Sequence, residues 1–500
     1  MQNDHRCTLK ISVNFRHRYI DTIMGIRTGK EFVESLRDDR TVYVNGERVK
    51  DVTEYPPFRG IVATLASLYD LQHERRDELT YPSPRTGESV AASFALAETL
   101  EAGEFRARAE EIRADYTLGL MGRMPDFCNA MISDFMAARA YVGRREPRYG
   151  ENLARYYEEC RDRDWCLTHT LVDPQIDRSK GPGEQSDPFA ALRLVRETDA
   201  GLVVRGAKML STLAPFANEL FVGPFYPRQP GEEPYALSFA LPMDARGLKF
   251  ICRETYDAGR NTFDRPLSSR YDEEDALAVF DDVLVPWERV FINGDIEIFN
   301  SVLTRTPGYA PLQATIRGMV KLRFLAGLAM RIAEAIGRSD LLHVQAQIGE
   351  LVANAELVSG LVRAGTQEVT WGTTRGLPHR SLAATLWVLM PQVQLRAAEV
   401  IRQLSGSGLI MTPTEGDFAN PEIAAYLEKY LRGKDLSARD RVQLFKLAWD
   451  MIGEPFGSRQ LQYEWFYSGD PYFTRTRFFR SPITREFKSM VDRVLKRDQN

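Results

Sequence analysis

One of only six histidines in the 500-residue chain, His169, stands in the stretch THTLVDPQIDRSK, Thr168 to Lys180, just ahead of an Asp-Pro-Gln turn. A rare imidazole followed by polar turn residues reads as a segment that holds a ligand. Backbone amides and the Gln175 side-chain amide, gathered around Pro174, can hydrogen-bond a carbonyl-rich edge of a bound molecule. Taken alone the signal is weak, because a single His beside a turn is more often structural than catalytic.

Other chemistries leave little trace in the sequence. No G-x-G-x-x-G follows a strand-like run and no G-x-x-x-x-G-K-[ST] occurs, so neither a dinucleotide fingerprint nor a P-loop is supported. H-E-x-x-H and G-x-S-x-G are also missing. The histidines, at 5, 17, 73, 169, 343 and 379, are scattered and suggest no metal site. Five cysteines, at 7, 128, 160, 166 and 252, contain no C-x-x-C pair. They argue against a disulfide framework, a zinc site or an iron–sulfur site, and fit reduced thiols in a cytoplasmic protein. Cys128, Cys160 and Cys166 read as small buried hydrophobes.

The elements that must position these residues fall into three textures. From about Gly29 to Asp164 the pattern is mainly helical, apart from RTVYVNGERV, where Asn45-Gly46 between apolar runs predicts a hairpin. From Trp165 to about Ile292 the runs GLVVRGAKML, ELFVGPFY, YALSFALPM and DALAVFDDVLVPW predict a β-domain. From about Pro311 the helical period returns, with Val344, Ile348, Leu351, Ala355, Val358 and Val362 on one face. Segregated runs of this kind predict an α+β architecture.

Composition agrees with a soluble globular chain: hydrophobic residues make up 44% and charged residues 27%. The length implies two or three domains. A net charge of −4 gives no basic excess of the kind nucleic-acid partners need. The N-terminal residues lack the apolar core of a signal peptide. The apolar run from Ile316 to Ile336 is interrupted by Arg317, Lys321, Arg323 and Arg331, and predicts a buried helix of a soluble protein.

Seven runs in order over about 440 residues carry a resemblance. They are RTGKEFVESLRDDRTVYVNGERVKDVTEYPPFRG, MGRMPDF, THTLVDPQIDRSK, ETDAGLVVRGAKMLST, PLSSRYDEEDALAVFDDVLVPWERV, GSGLIMTPTEGDF and GEPFGSRQLQYEWFYSGDP. The chain resembles the two-component, reduced-flavin-dependent aromatic hydroxylases of the 4-hydroxyphenylacetate 3-monooxygenase family (large oxygenase component). The resemblance implies an acyl-CoA dehydrogenase-like fold, with an extension over residues 1–24 expected to be disordered and a mainly helical domain over 25–164. A β-domain over 165–292 and a C-terminal helical domain over 293–500 would follow. It also implies FAD, used as FADH2 supplied by a separate NAD(P)H-dependent flavin reductase, and a homotetramer in the cytoplasm. Reduced flavin and O2 would give a C4a-hydroperoxide that attacks a phenol. Such an electrophile needs a dry pocket and an electron-rich ring, so the phenol should bind as the phenolate.

Residue by residue, the resemblance puts His169, Thr170, Leu171, Val172, Gln175, Ile176, Asp177 and Arg178 along the flavin. Thr212, 34 residues beyond Arg178, matches the strand Thr that meets the ring system, and Phe456, Gly457, Ser458 and Arg459 match the C-terminal flavin segment. His169 is the candidate catalytic residue, reaching the substrate hydroxyl. Ser405 to Gly408 resembles a turn that approaches a neighbouring subunit's cofactor.

Three departures stand out. Ser458 replaces a frequent Gly and Gln460 a frequent His. The family's phenylacetate hydroxylases carry an Arg and, four residues on, a Tyr just before the Gly of a G-x-M-G-R run. The corresponding positions here read Ala114 and Leu118, with Arg113 and Tyr116 one and two residues earlier. Arg113 and Tyr116 are therefore the candidate substrate-binding residues, in a pocket expected to differ from one for 4-hydroxyphenylacetate. MGRMPDF is expected to shape a helix end. The alternatives are a 4-hydroxybutyryl-CoA dehydratase-like enzyme, which would need a cysteine cluster, and a non-catalytic flavin-binding homologue.

Overall fold

The computed structural model describes residues 24–257, 259, 261–371 and 380–495. The expected N-terminal extension lies outside them except for Met24, as does His379.

Helices open the described chain. The Arg59–Glu74 helix turns Ile61, Leu65, Leu68 and Tyr69 inward, the three-and-four spacing of an amphipathic helix. Leu100–Tyr116, Pro125–Ala137 and Pro147–Asp162 follow. The last two begin on proline, which the first turn tolerates because its N–H would be unpaired anyway. The Asn45-Gly46 hairpin is present, with φ of 53° and 82° at its two turn residues, and joins Val42–Val44 to Glu47–Val49. Val42–Val44 then pairs in parallel with Leu248–Cys252, so the N-terminal hairpin forms the edge of a sheet belonging to the middle of the chain.

That sheet has six strands, in the order Glu47–Val49, Val42–Val44, Leu248–Cys252, Asp275–Pro286, Gly201–Thr212 and Arg193–Thr198. A four-stranded sheet runs Val290–Asn293, Leu237–Pro242, Glu219–Val222 and Leu167–Thr170. Gly201–Thr212 and Asp275–Pro286 slip register between Ala276 and Ala278, opposite Leu210, whose φ is 67°. Such a bulge bends the strand and re-aims its side chains, a device common at the rims of sites.

The C-terminal part is helical, as its period predicts. The Tyr309–Ala335 helix packs against Leu342–Trp371 and Met390–Ser405 as well as Leu100–Tyr116 and Pro125–Ala137, and is buried nearly all round. Of the cations that interrupt its apolar run, Arg317 and Lys321 are buried against Glu464, while Arg323 reaches Glu111 and Arg331 reaches Glu334 at the surface. Among the described residues no helix is long and apolar enough to cross a membrane. The Pro455–Phe466 helix, anchored on that central helix, faces the strands across a cavity.

Candidate active site

The cavity, of about 640 Å³, lies between the Leu171–Arg178 segment, the bulged strand pair and the Pro455–Phe466 helix. Its size falls in the range of small-molecule sites, roughly 300–1,000 Å³.

His169 stands at its inner end. It belongs to the buried strand Leu167–Thr170, opposite Phe221, rather than to the following turn, and is 7% exposed. Arg123 donates from Nε to His169 Nε2 over 2.8 Å. A guanidinium has no acceptor, so the imidazole nitrogen facing it carries the lone pair. Burial first, and the Arg123 charge second, push the His169 pKa well below its usual value. The ring is therefore neutral with its proton on Nδ1, and this buried Nδ1 has no hydrogen-bond partner among the described residues.

Arg123 is held from several sides. Its backbone N–H donates to Glu273 Oε1 at 2.5 Å, and its Nη1 donates to the Gly122 carbonyl at 3.0 Å and to the Tyr463 hydroxyl. The guanidinium lies 4.1 Å from the Phe127 ring centroid. Among the described residues no carboxylate stands at ion-pair distance from the Arg123 side chain. The Arg123 cation and the neutral His169 ring thus both line the cavity.

The turn after His169 supplies Leu171, Val172, Gln175 and Arg178 to the lining. Its shape is fixed by Asp173, whose carboxylate accepts from Lys208 Nζ at 2.8 Å and pairs with Arg228 at 2.7 Å. Lys208 also donates to the Leu171 carbonyl at 3.1 Å. Thr170 is buried beside the lining, Ile176 points outward at 64% exposure, and Asp177 is bonded to Ser179 and Lys180. Thr212 lies behind the cavity wall and donates its hydroxyl to Asp275 Oδ1 at 2.6 Å.

From the C-terminal segment, Ser458 and Arg459 reach the cavity, joined by Gln462, Tyr463 and Phe466 one and two turns on. Arg459 is neutralised by Asp275, at 2.8 and 3.0 Å, and by Glu273 at 3.0 Å. Phe456 is buried away from the cavity, and Gly457 lies against the Met451–Ile452 backbone where a Cβ would overlap it. Gln460 accepts from Lys321 at 2.7 Å and donates to the Leu120 carbonyl at 2.9 Å, which fastens the helix from behind. The Ser405–Gly408 turn does not reach the cavity.

Arg113 and Tyr116 are not brought to the cavity. Arg113 is buried, donates to Gln72 Oε1 at 2.8 Å and lines a separate void of about 20 Å³ with Asp126 and Asn129. Tyr116 is 43% exposed. Ala114 is buried and Leu118 turns the chain at φ 56°, and neither lines the cavity. Ala114 and Leu118 therefore say nothing about how the pocket compares with one for 4-hydroxyphenylacetate. An Arg with an aromatic residue four positions later does meet His169, but it is Arg123 with Phe127, whose ring centroid is 5.7 Å from the imidazole. These lie in MGRMPDF, the run expected only to shape a helix end. One local signal pointed there: Arg123 puts a cation just before a helix N-terminus, against the helix dipole. Tyr463 and the aromatic residues Phe225, Tyr226, Tyr256 and Phe466 in the lining had no such signal.

The chain matches two family descriptions, "4-hydroxyphenylacetate 3-hydroxylase N terminal" over residues 28–292 and "4-hydroxyphenylacetate 3-hydroxylase C terminal" over residues 303–496. It is 41% identical over 451 residues to the 4-hydroxyphenylacetate 3-monooxygenase oxygenase component of Thermus thermophilus, covering 89% of this chain and 92% of that one. A crystal structure of such an oxygenase component complexed with FAD and 4-hydroxyphenylacetate superposes with a TM-score of 0.88 at 38% identity, over 94% of this chain and 99% of that one. Two more distant structures share the fold alone. An archaeal 4-hydroxybutyryl-CoA dehydratase from N. maritimus gives a TM-score of 0.84 at 22% identity, over 95% and 96% of the two chains. An acyl-CoA dehydrogenase from Geobacillus kaustophilus gives 0.53 at 15%, over 90% and 96%.

Proposed function

The chain belongs to the 4-hydroxyphenylacetate 3-hydroxylase family, on the acyl-CoA dehydrogenase-like fold, and is a flavin-dependent aromatic monooxygenase; from this we propose that it is the oxygenase component of a two-component system that uses FADH2 to hydroxylate a phenol bound as its phenolate. The observation that carries the reading is the pairing of Arg123 with His169 at the inner end of the cavity.

FAD is the cofactor, and the cavity fits its ring system. Gln175 and Ser458 offer polar groups to the carbonyl-rich edge, and Arg178 at the rim has no bonded partner among the described residues. When bound, the reduced flavin would supply the activation of O2. The protein's own residues do the rest. A free phenol has a pKa of about 10, and its anion needs opposite charge or donated hydrogen bonds to form near neutrality. Arg123 Nη2, which bonds to no other group among the described residues, supplies the charge, and His169 Nδ1–H turns to supply the hydrogen bond. His169 cannot itself take the phenol's proton, since Nδ1 is already protonated and Nε2 is engaged by Arg123. The proton leaves to solvent before or during entry. The rings of Phe225, Tyr226, Phe466 and Tyr467 line the cavity with aromatic surface, which favours a dry reacting end once ligands fill it.

The partners in this reading are O2, a small phenolic substrate and an NAD(P)H-dependent flavin reductase that delivers FADH2 by diffusion. Its setting is the cytoplasm. Oxygen uptake driven by NADH and an added reductase, with isotope-labelled O2 and a panel of phenols, tests it. One labelled oxygen atom in a hydroxylated product is expected, and uptake that yields only peroxide with every phenol counts against the reading.

A further inference from the structure

Tyr463 takes no part in the chemistry above, yet three guanidinium groups converge on its ring. Arg459, Arg123 and Arg317 lie 5.0, 5.3 and 5.4 Å from its centroid. The hydroxyl accepts from Arg123 Nη1 and faces the Gly122 carbonyl at 3.3 Å. The ring lies directly on the Gly122 backbone, where a Cβ would overlap its Cζ and hydroxyl. Tyr467 stacks on it at 4.9 Å and 14°. Arg317 is fixed in turn by Glu464 at 2.5 and 3.0 Å. The result is a rigid column running from the central helix to Arg123.

Arg123 needs such a column. A long side chain without a carboxylate partner can take many rotamers. Here Nε is bound to His169 and Nη1 to Tyr463, and Phe127 covers a face of the guanidinium. These contacts leave Nη2 aimed at the cavity. A carboxylate in place of Tyr463 would orient Arg123 equally well but would cancel its charge. A neutral hydroxyl orients it and leaves the charge for the ligand.

We infer that Tyr463 is the positioning residue that holds Arg123 for phenolate binding, with Gly122 providing the space that its ring needs. The inference rests on the phenolate reading given above.

The acidity of a bound phenol reads both claims. 4-Nitrophenol, whose phenolate is coloured, is titrated against the full-length protein over a pH series. The wild type should bind the phenolate in preference to the phenol, lowering the apparent pKa of the bound dye. Tyr463→Phe should lose about tenfold of that preference, one unit of the bound dye's pKa, with an unchanged thermal midpoint, as expected for one hydrogen bond to a charged group. Gly122→Ala keeps the hydroxyl but displaces the ring, and should show the same loss. If Tyr463→Phe does not fold, Gly122→Ala decides the matter. Both variants keeping the wild-type preference would overturn the positioning role and leave the phenolate reading standing. A wild type with no preference for the phenolate would overturn that reading, and the role of Tyr463 with it.

Discussion

Arg123 and His169 are 46 residues apart in the chain, and their side chains meet at 2.8 Å, Nε to Nε2. The contact makes His169 a fixed donor and removes it as a base. His169→Ala should still allow reduced FAD to be oxidised, but hydroxylated product should fall by about two to three orders of magnitude, as when one donor to a developing charge is removed. Peroxide should appear in its place. The pH dependence follows from the lowered pKa of His169. Below the usual value of 6.5 the unfolded chain takes up a proton at this residue and the folded chain does not. Wild-type stability should therefore decline relative to His169→Ala as pH falls below 6.5, in melts of the two proteins side by side.

Tyr116→Phe should leave both turnover and stability near wild type, within roughly 0.5 kcal/mol, as for most surface changes. Arg113→Ala should behave differently. It strands the buried Gln72 amide oxygen, at a cost of about 1–3 kcal/mol, without changing which phenols are accepted. A changed phenol preference in Tyr116→Phe would return that residue to the substrate site.

Glu464 holds Arg317 and Lys321 in the interior, and all three are buried. Burial alone would raise the Glu464 pKa, but the Arg317 and Lys321 charges outweigh it and hold the carboxyl down to about 2, against a usual 4.5. A carboxyl depressed in the folded state contributes stability above its unfolded value, and that contribution is lost as pH falls through the folded one. The melting temperature should drop between pH 4.5 and 2 by an amount equivalent to roughly 3 kcal/mol. Glu464→Gln should flatten this dependence and be destabilised at neutral pH by about 3–5 kcal/mol, because two buried cations lose their carboxylate.

The protein should be a homotetramer. The motive read from the sequence, an apolar helix from Ile316 to Ile336 in need of burial on several sides, is met within the chain itself. The structure offers another. The Ile483–Val494 helix has no buried residue and exposes Phe487, Met490, Val491 and Val494 along one face. So short a helix is marginal unless something covers that face. Light scattering should give about four times the 56.9 kDa chain mass, and a mass near one chain contradicts the expectation.

The parts legible in the sequence are those with local causes. The Asn45-Gly46 hairpin, the buried central helix and the strand-rich middle follow from turn chemistry and period, and His169, Leu171, Val172, Gln175, Arg178, Ser458 and Arg459 do line one cavity. What stayed hidden was long-range. Nothing in VYVNGERV says that Val42 will pair with Phe250. Nothing in MGRMPDF says that Arg123 will cross to a strand 46 residues away and meet Tyr463 from a helix 340 residues away. Arg113 and Tyr116 stand near Gly119 in sequence, whereas the pocket selects by tertiary packing. The Asp173 clamp on the turn after His169 was hidden for the same reason, because Lys208 and Arg228 come from outside that segment.

The most direct test is a single turnover in which full-length protein with anaerobically reduced FAD is mixed with O2 and a phenol, comparing wild type with Arg123→Gln. The reading predicts hydroxylated product close to stoichiometric with reduced flavin in the wild type. In Arg123→Gln it predicts flavin oxidation at a similar overall yield with nearly all of the oxygen recovered as peroxide. Hydroxylated product from Arg123→Gln at the wild-type yield would contradict it, because the cation that holds His169 and the phenolate would then be dispensable.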